Sequence, residues 1–320
     1  MRAIGHLLSL FQRAKVQVFE IKFSIFKKLS YFCPIILFDM KTLSKCILLF
    51  LAAFLLLPML LSAQQPQDTL KAKKPGIVAH RGFHRSEGSA ENSISSMQHA
   101  FAHDFEGTEF DVQLTSDNVA IVFHDSKMQG HVICDTPFDT LRQLQAFTLK
   151  NGETVPTLDE FLEACSIAIK EQLPLEKHTQ LFFEIKPLQR KEQRYHLLGQ
   201  IIEAIGKYQL HDDIFFISFD LDACVMMAQL LPDIPVAYLE GDLSPKQLQE
   251  KGITDVDYHW SKFATHPEWV KEAHDLGMTV NVWTVNTPEK ALEMLELGVD
   301  YITTDEPLQM REWLCRDKTE

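Results

Sequence analysis

At 320 residues, with 46% hydrophobic and 23% charged residues, the chain has apolar material for a sizeable core and the balance of a folded protein, which excludes a disordered chain or a repeat fibre. Its net charge of −13 is unevenly spread: residues 1–63 hold eight of the 31 Lys/Arg and two of the 44 acids, so the remainder carries −19. A body that acidic repels the nucleic-acid backbone and excludes a general DNA or RNA binder; a phosphate-ester substrate would need local positive charge, which a bound divalent cation supplies.

In chain order, the first feature is the run 47–61, apolar apart from Pro58, preceded by Lys41 and Lys45 and followed by Leu61-Ser62-Ala63 and Gln64-Gln65-Pro66-Gln67. A positive start, a short apolar stretch and a small-residue exit predict a secretory signal peptide. The run is short for a membrane span, which needs about 20 residues. Met40 directly precedes this unit. The predicted organisation is therefore a spurious extension over 1–39, a signal peptide over 40–63, a linker over 64–75 and one domain over 76–320. The alternative is an uncleaved anchor, because Leu61 is larger than the residue preferred at its place. Either way the body is exported, periplasmic or secreted, and meets a membrane only through the export signal or as a residual anchor. Cys134, Cys165, Cys224 and Cys315 are widely spaced without a C-x-x-C pair. That spacing predicts free thiols or one incidental bridge, and neither a zinc site nor a disulfide scaffold.

From Gly76 short β-branched runs alternate with longer amphipathic ones, the pattern of parallel βα units. Strands are predicted over 76–80, 108–113, 181–186, 214–219, 234–239, 254–258, 279–284 and 300–304. Helices with apolar residues three and four apart are predicted over 93–105, 195–208, 221–231, 267–276 and 288–297. Eight such units predict an α/β fold, a single-domain (β/α)8 TIM barrel. Thr287-Pro288-Glu289 supplies a capping hydroxyl, a first-turn proline and an acid, while Gly277 and Gly298 each close a helix before a strand. The segment 125–181 is long for a βα connection and carries its own helix over 157–167; it reads as an elaborated loop over the barrel mouth.

In such a barrel the chemistry sits at the C-terminal ends of the strands. Strand one ends in His80-Arg81-Gly82, strand two contains Glu109-Phe110-Asp111, His124-Asp125 follows, and strand three ends in Glu184-Ile185-Lys186. Glu109 and Asp111 are two apart, so both leave the strand on one face. Adjacent carboxylates are costly without a cation or shared proton, and Glu184 adds a third. Three oxygen ligands suit Mg²⁺ or Ca²⁺ better than zinc. His80 and His124 flank these carboxylates and would serve as the proton acceptor and donor that an in-line phosphodiester displacement requires. Arg81 offers a fork of donors to a phosphate oxygen, and Lys186 a point charge. Glu91, beside Asn92 at the start of the first helix, either orients Arg81, binds a substrate hydroxyl, or serves as a helix N-terminal acid.

Taken together, Val78-Ala79-His80-Arg81-Gly82, Glu91-Asn92-Ser93, Glu109-Phe110-Asp111-Val112 and Val122-Phe123-His124-Asp125 resemble the signature of the glycerophosphodiester phosphodiesterase family. The resemblance continues through Pro156-Thr157-Leu158, Glu184-Ile185-Lys186, Ile217-Ser218-Phe219, Val282-Trp283-Thr284-Val285-Asn286 and Thr304-Asp305-Glu306-Pro307, and so spans 76–308. It implies a TIM barrel that hydrolyses glycerophosphodiesters to an alcohol and glycerol phosphate with Ca²⁺ or Mg²⁺. By the same resemblance Glu109, Asp111 and Glu184 would hold the metal, His80 and His124 would be the catalytic pair, Arg81 and Lys186 would contact phosphate, and Trp283 would line the substrate pocket. Barrel core is the other reading of Trp283. Ser93 and Asn118 stand where the family has Thr and Gly; Asn tolerates positive φ, so the turn at Asn118 should survive. The run Gln129-Gly130-His131-Val132-Ile133-Cys134 departs more. The competing readings are a phosphodiesterase acting on intact phospholipid and a catalytically inactive phosphodiester-binding protein.

Overall fold

The structure, a computed structural model, describes residues 74–176 and 178–315, all within the unit Lys71–Glu320. The predicted extension, signal peptide and most of the linker, through residue 73, lie outside the described residues. Eleven strands are described: β1 Gly76–Ala79, β2 Gly107–Leu114, β3 Ala120–Val122, β4 Lys127–Met128, β5 His131–Val132, β6 Gln180–Ile185, β7 Ile214–Ser218, β8 Val236–Tyr238, β9 Asp255–His259, β10 Val280–Trp283 and β11 Tyr301–Thr304. Eight of them pair in parallel in the order β1-β11-β10-β9-β8-β7-β6-β2, and β1 pairs again with β2, which closes the ring. The result is the TIM barrel that the βα alternation predicts.

Helices start where side chains satisfy the first free backbone N–H groups. Ser93 accepts from Ser96 N ahead of helix Ile94–Ala102, and Thr157 forms a capping box with Glu160 ahead of helix Leu158–Gln172. Thr287 caps helix Pro288–Leu297, which ends on left-handed Gly298. Phe110, turned away from its strand neighbours Glu109 and Asp111, packs on Phe161 and Phe183 at centroid distances of 4.6 and 4.7 Å. Removing that buried ring costs about 3–5 kcal/mol. Inside the barrel, Val78, Phe182, Phe215, Ile217, Ala237 and Leu239 form a separate apolar plug on which the polar mouth rests.

Every predicted barrel strand is present, with ends displaced by one or two residues. The strand predicted over 234–239 contracts to Val236–Tyr238, because Pro235 has no N–H to give a ladder. The strand predicted over 254–258 runs on to His259. β3, which periodicity over three residues cannot reveal, returns antiparallel on β2. The turn between them places Asn118 at φ 61°, so the turn does survive the loss of glycine.

None of the residues 126–153 that follow Asp125 lines the cavity at the mouth. The segment builds a small core of its own from Ile121, Met128, Ile133, Leu141, Phe147 and Val155. It is tied to the starts of the helices after β1 and β6, at the mouth end, by Gln193 Nε2 donating to Cys134 O at 2.8 Å and Ile94 N donating to Glu153 Oε2 at 3.1 Å, and to the loop after β1 by Asn151 Nδ2 donating to Gly88 O at 3.1 Å. Its apolar residues reach their partners locally. Cys134, Cys165, Cys224 and Cys315 are free thiols.

Candidate active site

The site lies where β1, β2 and β6 end. Parallel pairing sets Asp111 beside Glu184, and the pleat puts Glu109 on the same inward face two residues back. Ligand oxygens of Glu109, Asp111 and Glu184 all lie within 4.8 Å of one another, and all three side chains are buried. Such crowding needs counter-charge. Lys186 Nζ donates to Glu184 Oε1 at 2.7 Å and stands 2.8 Å from Asp111 Oδ1. Arg81 donates through its backbone N to Glu109 Oε2 at 2.8 Å and through Nη1 to Glu91 Oε2 at 2.7 Å, with Nε 3.8 Å from Asp111 Oδ2.

The turn after β1 is shaped for this. Arg81 and Asn92 occupy left-handed backbone, φ 53° and 59°, as does Gly82 at φ 76°. A Cβ on Gly82 would lie 2.7 Å from the Ser96 carbonyl carbon, so only glycine fits between β1 and the following helix. Asn92 grips Asp111 twice, its Nδ2 donating to Asp111 Oδ2 at 2.8 Å and its Oδ1 accepting from Asp111 N at 3.0 Å. The left-handed cost, about 1–2 kcal/mol per residue, is offset by these bonds.

Burial first, then the charges of Asp111 and Glu184, push the Glu109 carboxyl well above its ordinary range. Burial and Asp111 likewise raise Glu184. Asp111 is held low despite its burial, because Lys186 and His124 favour its anion. Glu109 Oε1 has no hydrogen-bond partner. A trio with more anionic capacity than its lysine and arginine neutralise, an orphaned buried oxygen and an all-oxygen donor set fit one hard divalent cation held by Glu109, Asp111 and Glu184.

Two imidazoles flank the trio. His80 Nδ1 donates to Asp305 Oδ1 at 2.7 Å, and His80 Nε2 lies 4.0 Å from Glu109 Oε2. His124 Nδ1 donates to Asp125 Oδ1 at 2.7 Å; burial lowers the His124 pKa, with Asp111 opposing. Since a carboxylate only accepts, each Nδ1 carries the hydrogen and each Nε2 is left for other partners. His80, Arg81, Glu109, His124, Glu184 and Lys186 all line one cavity, whose other wall holds Ile217, Phe219, Leu239 and Trp283.

The structure thus brings together every predicted site residue, Asp111 and Glu91 through their bonds to the lining residues. Glu91 orients Arg81, and the helix begins only at Ile94, so Glu91 is not its N-terminal acid. Trp283 belongs to the cavity wall, set edge-on to Phe219 and His259. Sequence reading passed over the supports: Asn92, Asp305 and Asn286, which fixes Asp305. It also missed Asp257, an inward carboxyl on β9. The signal was available for Asp305, a carboxylate just past the last barrel strand, and for Asp257, which sits mid-strand like Glu109.

A site of this kind compensates charge on phosphate oxygens, and the chain is a phosphoric diester hydrolase built on a TIM barrel. Residues 80–309 match the model of the glycerophosphoryl diester phosphodiesterase family, and the chain belongs to that family. It is similar to a glycerophosphodiester phosphodiesterase from Bacillus altitudinis, 29% identical over 245 residues, which cover 72% of this chain and 94% of that protein. It also resembles the crystal structure of a glycerophosphodiester phosphodiesterase from Parabacteroides distasonis, with TM-score 0.69 and 40% identity, over 76% of this chain and 98% of that one. An Oleispira antarctica phosphodiesterase, solved in complex with the product sn-glycerol-3-phosphate, shares the fold at TM-score 0.62 and 23% identity, over 76% of this chain and 98% of that one.

Proposed function

We propose that this protein is an exported, metal-dependent enzyme that hydrolyses glycerophosphodiesters to an alcohol and glycerol phosphate, with His80 and His124 as its acid and base. The reading rests above all on one observation: three clustered buried carboxylates flanked by two imidazoles, each held at Nδ1 by a carboxylate of its own. The product complex of the Oleispira antarctica enzyme supports glycerol phosphate as the product here. Export rests on the signal-like segment 40–63.

Glu109, Asp111 and Glu184 hold one Ca²⁺ or Mg²⁺, which when bound supplies the positive charge that phosphate oxygens require. Arg81, aimed by Glu91, and Lys186 add donors to the same oxygens. The Nε2 of one imidazole takes the proton of the attacking oxygen as the new P–O bond forms. The other imidazole gives its Nε2 proton to the leaving alkoxide as the old bond breaks. The attacker is water, or the substrate's own glycerol hydroxyl through a cyclic phosphate.

Replacing either histidine by alanine tests the assignment. Each of H80A and H124A is expected to lower kcat by about a hundredfold or more. Near-normal turnover in both would end it.

A further inference from the structure

β9 lies four strands from β2 in either direction around the barrel, so Asp257 approaches the cavity from the wall across from Glu109 and Asp111. Its side chain is only 1% exposed. Oδ2 accepts from Asn281 Nδ2 at 2.8 Å, and the same amide donates to Thr303 Oγ1 at 3.1 Å. Oδ1 has no hydrogen-bond partner. The carbonyl of Asp257 accepts from Trp283 Nε1 at 3.2 Å, which ties the residue to the aromatic wall. A polar string thus runs from Thr303 through Asn281 to the unsatisfied oxygen of Asp257, a residue that lines the cavity together with Ile217, Phe219, Leu239, Trp283, Thr284 and Thr303. A buried acceptor left unmade carries a desolvation cost that a bound donor removes.

We propose that Asp257 recognises a hydroxyl on the organic part of the diester, Oδ1 pairing with it while Ile217, Phe219, Leu239 and Trp283 enclose the carbon skeleton. This rests on the phosphodiesterase reading above and adds a specificity-determining residue to it. A hydroxyl fits better than an ammonium group. Burial pushes the Asp257 carboxyl up to about 7, and a hydroxyl, which both donates and accepts, bonds either form of it, whereas a cation needs the anion.

The hydroxyl belongs either to the glycerol or to a polyol head group, and binding to the metal-loaded protein separates the two. Calorimetric titrations with glycerol 3-phosphate, inositol 1-phosphate and inorganic phosphate are compared for wild type, D257A and D257N. In D257A the affinity for one of the two phosphate esters falls about tenfold while that for inorganic phosphate is unchanged. A loss confined to glycerol 3-phosphate places glycerol against Asp257, and a loss confined to inositol 1-phosphate places the head group there. D257N, whose amide still offers a hydrogen bond, stays within about threefold of wild type. Should D257A lose inorganic phosphate as well, D257L, close to Asp in shape and suited to the apolar wall, answers in its place. Unchanged affinity for both esters in the alanine or leucine variant overturns the proposal, and so does a loss in D257N as large as in D257A. A wild-type protein that binds inorganic phosphate but neither ester counts against the glycerophosphodiester reading instead.

Discussion

Asp305 Oδ1 accepts a hydrogen bond from His80 Nδ1 at 2.7 Å, and Asp305 is itself fixed by Asn286, whose Nδ2 donates to Oδ2 at 2.6 Å while its Oδ1 accepts from Asp305 N at 2.9 Å. Burial alone would raise this carboxyl, but the bonds from His80 and Asn286 hold it well below the usual range. The anion is therefore permanent near neutral pH, and His80 keeps one tautomer and one orientation. Asp305 is a positioning residue. D305A is expected to lower kcat by about tenfold or more with little change in KM, and N286A to give the same split more weakly. Steady-state kinetics checks this; a raised KM at unchanged kcat would assign Asp305 to substrate binding instead.

Asn92 does for Asp111 what Asp305 does for His80. N92G suits the left-handed backbone but removes both bonds to Asp111, so it separates the clamp from the turn. Its affinity for Ca²⁺ or Mg²⁺ is expected to fall about tenfold or more, while its unfolding midpoint changes little. Metal titration followed by urea unfolding reads both quantities. Unaltered metal affinity would show that Asp111 needs no clamp.

Gly82 has neither conformational nor spatial freedom, with φ 76° and Ser96 packed against it. G82A is expected to destabilise the fold by more than about 2 kcal/mol, by combining left-handed strain with a backbone clash. Chemical unfolding measures it, and a loss below about 0.5 kcal/mol, the range of an ordinary surface change, would contradict the packing described.

Asp257 makes stability depend on pH. Its carboxyl titrates at about 7 in the folded chain and near 3.9 when unfolded, so the fold prefers the neutral form. Below about 3.9 both states are protonated and nothing is lost. As pH rises toward 7 the folded state forfeits stability, on the order of 4 kcal/mol from about three pKa units, and above 7 the loss is constant. D257N does not ionise, so its stability relative to wild type should climb between pH 4 and 7 and then level. A difference that stays flat with pH would mean that Asp257 is charged at little cost.

Much of this was legible in sequence because barrel strands are short, buried on both faces and separated by periodic helices, and because Glu109 and Asp111 sit two apart. The supports were harder to see. Asn92 reads as a helix-start residue until the fold turns its side chain onto Asp111, and Asn286 lies 19 residues from Asp305 in sequence. For the segment 126–153 length suggests a lid, but its own small core could not be read from length, because its apolar residues close on one another across several short turns. The carboxylates and His80 come from strands that pattern alone can place, whereas His124 follows β3, which it cannot, and the residues that aim them come from loops whose path depends on the whole barrel.

The proposed function requires that the buried carboxylates and carboxylate-backed imidazoles hydrolyse soluble glycerophosphodiesters with a bound divalent cation. The most direct measurement is release of glycerol phosphate by chelator-stripped protein, with and without added Ca²⁺ or Mg²⁺, from glycerophosphodiesters in solution and from phospholipid in vesicles. The proposed function predicts no turnover without the cation, turnover restored by one of the two, and a clear preference for the soluble diesters. Full activity in the stripped protein, no product from any soluble diester with cation present, or a preference for vesicles would contradict it.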